Sequence, residues 1–440
     1  MTNHLLDILA RAQHSGEAVG VTSVCSAHPL VLDEALRLAA VSREVVLVEA
    51  TCNQVNQDGG YTGLTPADFH AQLTASAERH GLPARLLVLG GDHLGPNPWK
   101  GGPARDAMDR SRELVRSYVA AGYTKIHLDT SMRCVDDPPG PLHPAVIAER
   151  SAELATVAEQ AAAGAGVDVR YVVGTEVPVP GGESAGTHGI HVTTAADVEE
   201  TLDLTQTAFE RAGVPAAWER VRAIVAQPGV EFSDAELFTY APGQAAHLAQ
   251  LLSAEPDLVL EAHSTDYQPP QALRALVADR FAILKVGPEL TFALREAVYA
   301  LSFVEDELLG DSASHVRQVL DDAMLADPAS WQPFYPQDEA SAARARRWSR
   351  SDRSRYSWPR PTVQSAVDQL LRNLRQTGLP DELLSQFLPR QHDVLRGRVA
   401  APRSVLVPGT APDPVDLLRD SVRVVLDSYR DATGALELPA

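Results

Sequence analysis

Three short segments of this chain carry side chains that could hold a metal ion or move a proton. GGDHLGPN places Asp92 beside His93, EAHSTDY contains His263, and GTEVPVPGGE contains Glu176. Two histidines and a carboxylate from separate segments can form an open metal site, which leaves positions for a substrate carbonyl and hydroxyl. A divalent ion there would act as a Lewis acid while Asp92 moves a proton. The alternative is that these residues are satisfied buried polar groups, or a charge pair that braces the core.

Each of these segments follows a short apolar run, and the chain contains eight such runs. A strand that is buried on both faces is a continuous Val/Ile/Leu run, so the runs predict parallel strands covered by helices. Segments with helical periodicity alternate with them, as right-handed βαβ crossovers require. Eight strands predict a closed (β/α)₈ TIM barrel, in which the residues just past the strands meet at the C-terminal mouth. The runs are VGVTSV, VVLVE, LLVLGG, KIHL, YVVGT, AIVA, LVLEA and FAIL.

The strand rhythm stops in the last third of the chain, which divides the sequence into two regions. We predict a barrel over residues 1–305 and a helical extension over 306–440 that packs on it. Thr65 and Thr194, each followed by an acidic residue three positions later, predict helix starts. The extension contains the basic stretch RARRWSRSDRSRYSWPRP. An arginine from it, such as Arg353, could reach a substrate phosphate; a solvated face or a subunit contact is the alternative.

Polar residues at other predicted strand ends are candidates for binding substrate. Asn53 and Gln54 lie in the amide-rich segment TCNQVNQDGGYTG, which could hydrogen-bond several hydroxyls of an extended polyol. The same segment could instead be a long turn that uses Asn and Gly for left-handed backbone. Ser264 and Thr265, directly after His263, could contribute hydroxyls.

A further candidate is the segment KVGPELT, which opens a helix after the eighth predicted strand. The lysine Lys285 and the helix start at Gly287 predict an anion site, because helix N-terminal amides favour phosphate and barrels often bind phosphate near strands seven and eight. Lys285 could instead only pair with Glu261 or Asp129. His127, inside the run KIHL, is interpreted as structural.

Composition limits the class of partner and the compartment. The chain has 38 Lys and Arg against 58 Asp and Glu, a net charge of −20, which argues against nucleic acid and anionic membrane surfaces as partners. Three cysteines without a CxxC spacing indicate a reducing compartment. We find no run that is apolar enough to span a bilayer and no signal-peptide pattern, so a cytoplasmic location is expected.

Together, the motifs of this chain resemble a known family. VCSAHPLV, EATCNQVNQDGGYTGLTPADF, GGDHLGPN, KIHLDTSM, GTEVPVPGGE, QPGVEF, EAHSTDYQ, FAILKVGPELTFALREA and SRYSWP are similar to the Z-type subunit of class II D-tagatose-1,6-bisphosphate aldolase. The resemblance implies a (β/α)₈ barrel, ketohexose-phosphate metabolism and a role beside a Y-type catalytic subunit. Some related proteins are instead credited with 4-epimerisation of a ketohexose or its phosphate.

A more distant resemblance, to zinc-dependent class II fructose-bisphosphate aldolases, implies roles for individual residues. The Asp-His pair of those enzymes matches Asp92, a proton carrier, and His93, a zinc ligand. Their IDGS element resembles LDTS and implies a catalytic Asp129, and their glycine-rich segment after an acid resembles EVPVPGG and implies Glu176. Their late histidine ligand matches His263.

One ligand of those enzymes has no counterpart in this chain. Where they carry a histidine after strand six, the sequence reads Gln227-Pro228-Gly229. Either Gln227 coordinates weakly or Glu176 completes the ligand set. The expected cofactor is a divalent metal ion, zinc first, with manganese, cobalt, nickel or magnesium as alternatives.

Three functions follow from the resemblance. The first is an aldolase subunit that cleaves the C3–C4 bond of D-tagatose 1,6-bisphosphate, and the second is a 4-epimerase of a ketohexose or its phosphate that shares the first half-reaction. The third is a non-catalytic subunit that stabilises a partner. The expected partners are a phosphorylated ketohexose, a Y-type aldolase subunit and further copies of the chain in a homo-oligomer.

Overall fold

Eight parallel strands close into a barrel, which confirms the predicted (β/α)₈ fold. The computed structural model describes residues 4–174, 190, 192–434 and 436. The strands are β1 (Val21–Val24), β2 (Val46–Thr51), β3 (Leu87–Leu94), β4 (Lys125–Leu128), β5 (Arg170–Val173), β6 (Val221–Val225), β7 (Glu231–Phe232), β8 (Leu237–Phe238), β9 (Val259–Ala262) and β10 (Phe281–Val286). The barrel order is β1-β10-β9-β6-β5-β4-β3-β2, closed by pairing of β2 with β1. All eight predicted runs overlap barrel strands, and the unpredicted β7 and β8 form a separate antiparallel hairpin.

Helices alternate with the strands and continue beyond them. Thr65 and Thr194 cap their helices as predicted, each in a capping box with the acid three residues on. The helices are α1 (Leu5–His14), α2 (Pro29–Ser42), α3 (Pro66–Arg79), α4 (Ala104–Ala120), α5 (Pro144–Ala165), α6 (Ala195–Arg211), α7 (Pro215–Trp218), α8 (Ala246–Leu251), α9 (Pro270–Ala278), α10 (Pro288–Leu309), α11 (Val316–Leu325), α12 (Glu339–Trp348), α13 (Pro361–Thr377), α14 (Asp381–Phe387), α15 (Pro389–Leu395) and α16 (Pro414–Thr433). In the part of the chain that the structure describes, we find no helix with the length and apolar character needed to cross a bilayer.

Helix α1 covers the N-terminal end of the barrel. Leu6 and Leu9 are fully buried in one hydrophobic cluster with Ile283 of β10. Asp7, on the same helix, forms an ion pair with Arg170 at the start of β5, with 2.6 Å between Oδ2 and Nη2. Helix α1 therefore covers this end of the barrel with apolar packing and a buried ion pair.

The C-terminal region returns to the barrel through its last helix. Helix α16 packs against α2, α9, α10 and strand β1, so it helps to close the ring of helices around the strands. The Tyr429 hydroxyl of α16 donates a hydrogen bond of 2.6 Å to the carbonyl oxygen of Thr265, just past β9. The predicted boundary at residue 305 falls inside α10, so the division into 1–305 and 306–440 stays a prediction about folding units.

Candidate functional site

A cavity opens at the C-terminal mouth of the barrel. Its wall combines residues at or just past the C-terminal ends of β1, β2, β3, β9 and β10 with Phe232 of β7, and with Arg355 and Tyr356 from the C-terminal extension. Most of the predicted site residues contribute to this wall: Asn53, Gln54, Asp92, His93, His263, Ser264, Lys285 and Gly287.

Three imidazoles meet beside this cavity. The rings of His93 and His263, which the sequence assigns to one metal site, have centroids 5.0 Å apart. The ring of His127 lies 5.1 Å from His93 and 5.3 Å from His263. All three side chains are buried. The interpretation of His127 as a structural residue is therefore revised, because it joins the same cluster.

The orientation of His93 is set by its backbone and by Asp129. His93 has a positive φ of 47°, which is rare for a residue with a Cβ atom, and the pairing of β3 with β4 shifts register around it. Its Nδ1 lies 2.8 Å from Oδ2 of Asp129. The other carboxylate oxygen of Asp129 accepts hydrogen bonds from the backbone N–H and hydroxyl of Ser131. Both carboxylate oxygens of Asp129 are therefore hydrogen-bonded, and one of them orients His93. The Nε2 atom of His93 remains available to another partner.

Asp92 lies at the centre of the cluster and uses its two oxygens differently. Oδ1 is 2.8 Å from Nδ1 of His127 and contacts the Lys285 ammonium group, whereas Oδ2 is 3.6 Å from Nε2 of His93. Burial acts to raise the pKa of this carboxyl group, but the charges of His93 and Lys285 outweigh burial and hold the pKa well below its usual value. Asp92 is therefore ionised, and Oδ2 is its oxygen that is not held by His127 or Lys285.

A layer of buried charges supports the mouth. The Lys125 ammonium group lies 2.7 Å from Oε2 of Glu49 and 2.7 Å from Oε2 of Glu261, and Lys285 lies 3.3 Å from Oε1 of Glu261. Among the described residues of the barrel, these two ammonium groups thus face three carboxylates, those of Glu49, Asp92 and Glu261. A fourth buried carboxylate, that of Asp129, contacts His93 instead.

The donor atoms present fit a divalent cation. One potential ligand atom from each of Asp92, His127, Glu261 and His263 lies within 4.8 Å of the others. Nε2 of His127 is buried and has no hydrogen-bond partner among the residues described. An unsatisfied buried imidazole nitrogen is costly in a native protein, and a metal ion would satisfy it and balance the negative charge.

Comparison with known proteins places the chain in a family. The model of the family described as D-tagatose-1,6-bisphosphate aldolase subunit GatZ/KbaZ-like matches residues 5–434. The chain belongs to this family. The D-tagatose-1,6-bisphosphate aldolase subunit GatZ of Klebsiella pneumoniae subsp. pneumoniae is 48% identical over 426 residues, which cover 96% of this chain and 98% of that protein. The subunit of the same name from Salmonella heidelberg is 47% identical with the same coverage.

A solved structure is also similar over nearly the whole chain. The crystal structure of a probable tagatose 6 phosphate kinase from Sinorhizobium meliloti 1021 superposes with a TM-score of 0.83 at 42% identity. The match covers 93% of this chain and 99% of that one. The barrel and its C-terminal helices are therefore shared with an experimentally determined fold.

Two predicted site residues of this GatZ/KbaZ-like chain lie in structural roles instead. Oε1 of Gln227 accepts hydrogen bonds from the N–H groups of Gly229 and Val230, at 2.8 and 3.0 Å, and so shapes the turn after β6. The Thr265 hydroxyl is fully buried and donates to the carbonyl oxygen of Lys285 at 2.7 Å. The predictions of Gln227 as a metal ligand and Thr265 as a substrate contact are corrected, because both side chains are used within the fold.

A carboxylate of the protein itself occupies the predicted anion site at the start of α10. The N–H groups of Gly287 and Glu289 donate to Oδ1 of Asp266, at 3.0 and 2.8 Å. Lys285, the cation assigned to this site, contacts Asp92 instead. The pairing of Lys285 with Glu261, the alternative from the sequence, is present. Neither Lys285 nor the helix start is therefore arranged as a phosphate site.

The acids at this helix start predict a pH effect on stability. Burial, with the charge of Asp266 next, raises the pKa of Glu289 from 4.5 to about 8. A carboxyl group with a raised folded-state pKa binds more protons when folded, so stability falls as pH rises from 4.5 through about 8. Glu289→Gln is expected to melt at a higher temperature than the wild type at about pH 8.5, with a smaller difference at about pH 5.5. Thermal unfolding followed by circular dichroism at both pH values measures this difference.

An exposed glutamate of the same helix provides the control for that measurement. Glu307→Gln removes the same charge at an exposed position of α10 and is expected to follow the wild-type pH profile. If the melting temperatures of Glu289→Gln and the wild type changed in parallel with pH, the ionisation of Glu289 would have no effect on the free energy of unfolding.

The amide-rich loop after β2 is predicted from the sequence either to contact substrate or to form a turn, and each interpretation fits one of its residues. Oε1 of Gln54 accepts from the N–H of Thr51 at 2.8 Å, and Nε2 donates to the carbonyl oxygen of Cys25 at 3.2 Å. Gln54 therefore shapes the cavity wall from within the loop, as the turn interpretation requires. Asn53 also lines the cavity and remains a candidate for contact with substrate.

Glu176, the remaining predicted ligand and acid, lies outside the described residues. Sequence reasoning also missed Lys125 of the charge layer, and it named Glu261 only as a possible partner of Lys285. A signal was present, because side chains two positions apart in a strand point to the same face. Lys125, His127 and Asp129 are spaced in this way, as are Glu261 and His263.

Proposed function

We propose that this chain catalyses the reversible cleavage of the C3–C4 bond of D-tagatose 1,6-bisphosphate, as a metal-dependent class II aldolase subunit. The convergence of three imidazoles on Asp92 at one barrel mouth carries the proposal. The substrate comes from the relatives, whose names all contain a phosphorylated tagatose.

The ion is proposed to bind the imidazoles of His127 and His263, which belong to the donor group with Asp92 and Glu261, and that of His93, whose ring adjoins both. Zinc is favoured because nitrogen ligands suit it, and three protein ligands leave an open position for substrate. A bound divalent cation would supply Lewis-acid stabilisation of the negative charge that develops on the sugar oxygens. Asp129 supports this role by orienting His93, so we propose it as a positioning residue. The catalytic role predicted for Glu176 stays a prediction.

Asp92 is proposed as the base. Its Oδ2 takes the proton of the C4 hydroxyl, since Oδ1 is held by His127 and Lys285. As the C4 oxygen forms an aldehyde, the C3–C4 bond breaks and its electron pair passes to the C1–C3 fragment. The Lys285 ammonium group keeps Asp92 ionised before the proton moves. Protonation of the C1–C3 fragment at C3 completes the cleavage into two triose phosphates.

A second candidate is 4-epimerisation, which uses the same proton transfer and bond cleavage. The aldehyde half would then turn and add back through its other face instead of leaving. A second cavity adjoins the mouth and shares Cys25, Gln54, Tyr61, Gly287 and Arg355 with it, which gives that half room to turn. The relatives from Klebsiella and Salmonella are named as subunits, which supports a Y-type partner for either reaction.

The deciding experiment uses the full chain purified alone, with and without added zinc. It is incubated with D-tagatose 1,6-bisphosphate, D-tagatose 6-phosphate and D-fructose 6-phosphate. Metal-dependent release of triose phosphates is the expected result and supports the aldolase. Interconversion of the two hexose monophosphates would instead support the epimerase and contradict the aldolase. Turnover only after a Y-type subunit is added, unchanged by Asp92→Asn, would show that the chain is a non-catalytic stabiliser.

A further inference from the structure

We infer that Arg355, from the C-terminal extension, binds a terminal phosphate of the sugar substrate. The identity of the sugar rests on the proposed function, but the anion site does not. Arg355 lies on the 3₁₀ helix Arg353–Tyr356, and its guanidinium group lines both adjoining cavities at the barrel mouth.

The guanidinium group is held in place but its charge is not paired. Nη1 donates to the carbonyl oxygens of Ser351 and Asp352, and Nη2 donates to the hydroxyl of Tyr356 at 3.1 Å. Among the described residues, no carboxylate forms an ion pair with Arg355. A bound phosphate would supply the missing ion-pair partner, and its oxygens match the planar fork of a guanidinium group.

A second arginine makes the same region more positive. Arg353 is 2% exposed and packs over the ring of Phe334, and its Nε and Nη2 have no hydrogen-bond partner in the described part of the chain. Arg355 and then Arg353 outweigh the effect of burial and lower the pKa of the Tyr356 hydroxyl, which reports a positive potential at that point.

The nearby acids do not neutralise this pair. The Asp352 carboxylate is used by Arg295, at 2.8 Å, and by the Thr291 hydroxyl. Asp266, on the cavity wall, accepts the N–H groups at the start of α10. The other cation of the cavity wall, Lys285, is engaged with Asp92. Arg355 is therefore the cation of the described wall that is available to a ligand phosphate.

Binding measured by calorimetry tests the inference independently of turnover. The full chain is titrated with inorganic phosphate, D-tagatose 6-phosphate and unphosphorylated D-tagatose. Arg355→Gln is expected to weaken the affinity for tagatose 6-phosphate about 10- to 100-fold, as for loss of a charge-assisted hydrogen bond, without changing the affinity for tagatose. Arg355→Lys, which keeps the charge but loses the planar fork, is expected to fall between Arg355→Gln and the wild type.

Control variants separate this role from a structural one. Arg344→Gln changes an exposed arginine on α12 and is expected to bind like the wild type. Equal affinity of folded Arg355→Gln and wild-type protein for both tagatose 6-phosphate and phosphate, or no phosphate-dependent affinity in the wild type, would overturn the inference. Phosphate binding that depends on Arg355 in a chain without turnover, even after a Y-type subunit is added, would refute the proposed reaction but not this site. Turnover with an unchanged KM in Arg355→Gln would refute the site and leave the reaction intact.

Discussion

Asp92→Asn is expected to lose at least about a hundredfold in kcat while it retains its metal ion. Asparagine has nearly the same shape, and its amide oxygen can still accept a hydrogen bond from Lys285 or His127. It cannot take up the proton of the C4 hydroxyl at neutral pH. The measurement combines kcat for cleavage of D-tagatose 1,6-bisphosphate with the metal content of the purified variant.

A neighbouring carboxylate provides the matched control for this variant. Asp129→Asn leaves Asp92 in place but weakens the support of His93, so it is expected to lower metal affinity about 10- to 100-fold. Saturating metal should restore its activity, whereas it should not restore activity to Asp92→Asn. Full activity in Asp92→Asn would exclude Asp92 as the base, and loss of the metal from it would make Asp92 a ligand.

His127→Gln is expected to reduce the affinity of the site for zinc by at least about tenfold. The imidazole Nε2 is the buried nitrogen whose missing partner the ion would provide, and glutamine offers no nitrogen lone pair in its place. Zinc affinity is measured by competition with a chelator, and the stoichiometry by elemental analysis. Activity should fall with metal occupancy and recover in part when zinc is in excess.

The control for His127→Gln is an exposed histidine. His14→Gln, at the end of α1, makes the same chemical change far from the mouth and is expected to bind zinc like the wild type. If a folded His127→Gln variant bound zinc with unchanged affinity, His127 would not be a metal ligand, and the structural role that the sequence indicates would be supported.

The barrel could be predicted because its strands are buried on both faces. Continuous apolar runs such as those of β2 and β10 identify strands without any help from the connections between them. The hairpin of β7 and β8 has only two residues in each strand, which is too short to show a period. The return of α16 to the barrel depends on tertiary packing that local periodicity does not contain.

The candidate site could be predicted where its residues end or directly follow an apolar run. Asp92 and His93 at the end of β3 and His263 just past β9 belong to short polar segments of the sequence, and these segments predict a site at the mouth. His127 and Glu261 are single polar residues within apolar runs, and in a strand such a residue can equally face the surrounding helices. The sequence indicates the basic stretch of the extension as a whole. Which of its arginines lines the cavity, Arg355 or Arg353, depends on the turn of the 3₁₀ helix, which the sequence does not show.

Helix α16 has a consequence for the order in which the molecule can form. Residues 414–433 cover strand β1 and the neighbouring α2, which leave the ribosome long before them. Strand β1 and α2 therefore keep an apolar face unprotected until residues 414–433 have been synthesised, and α16 then covers this face. A nascent chain stalled before residue 414 should accordingly be bound by chaperones and cleaved by proteases that spare the finished protein.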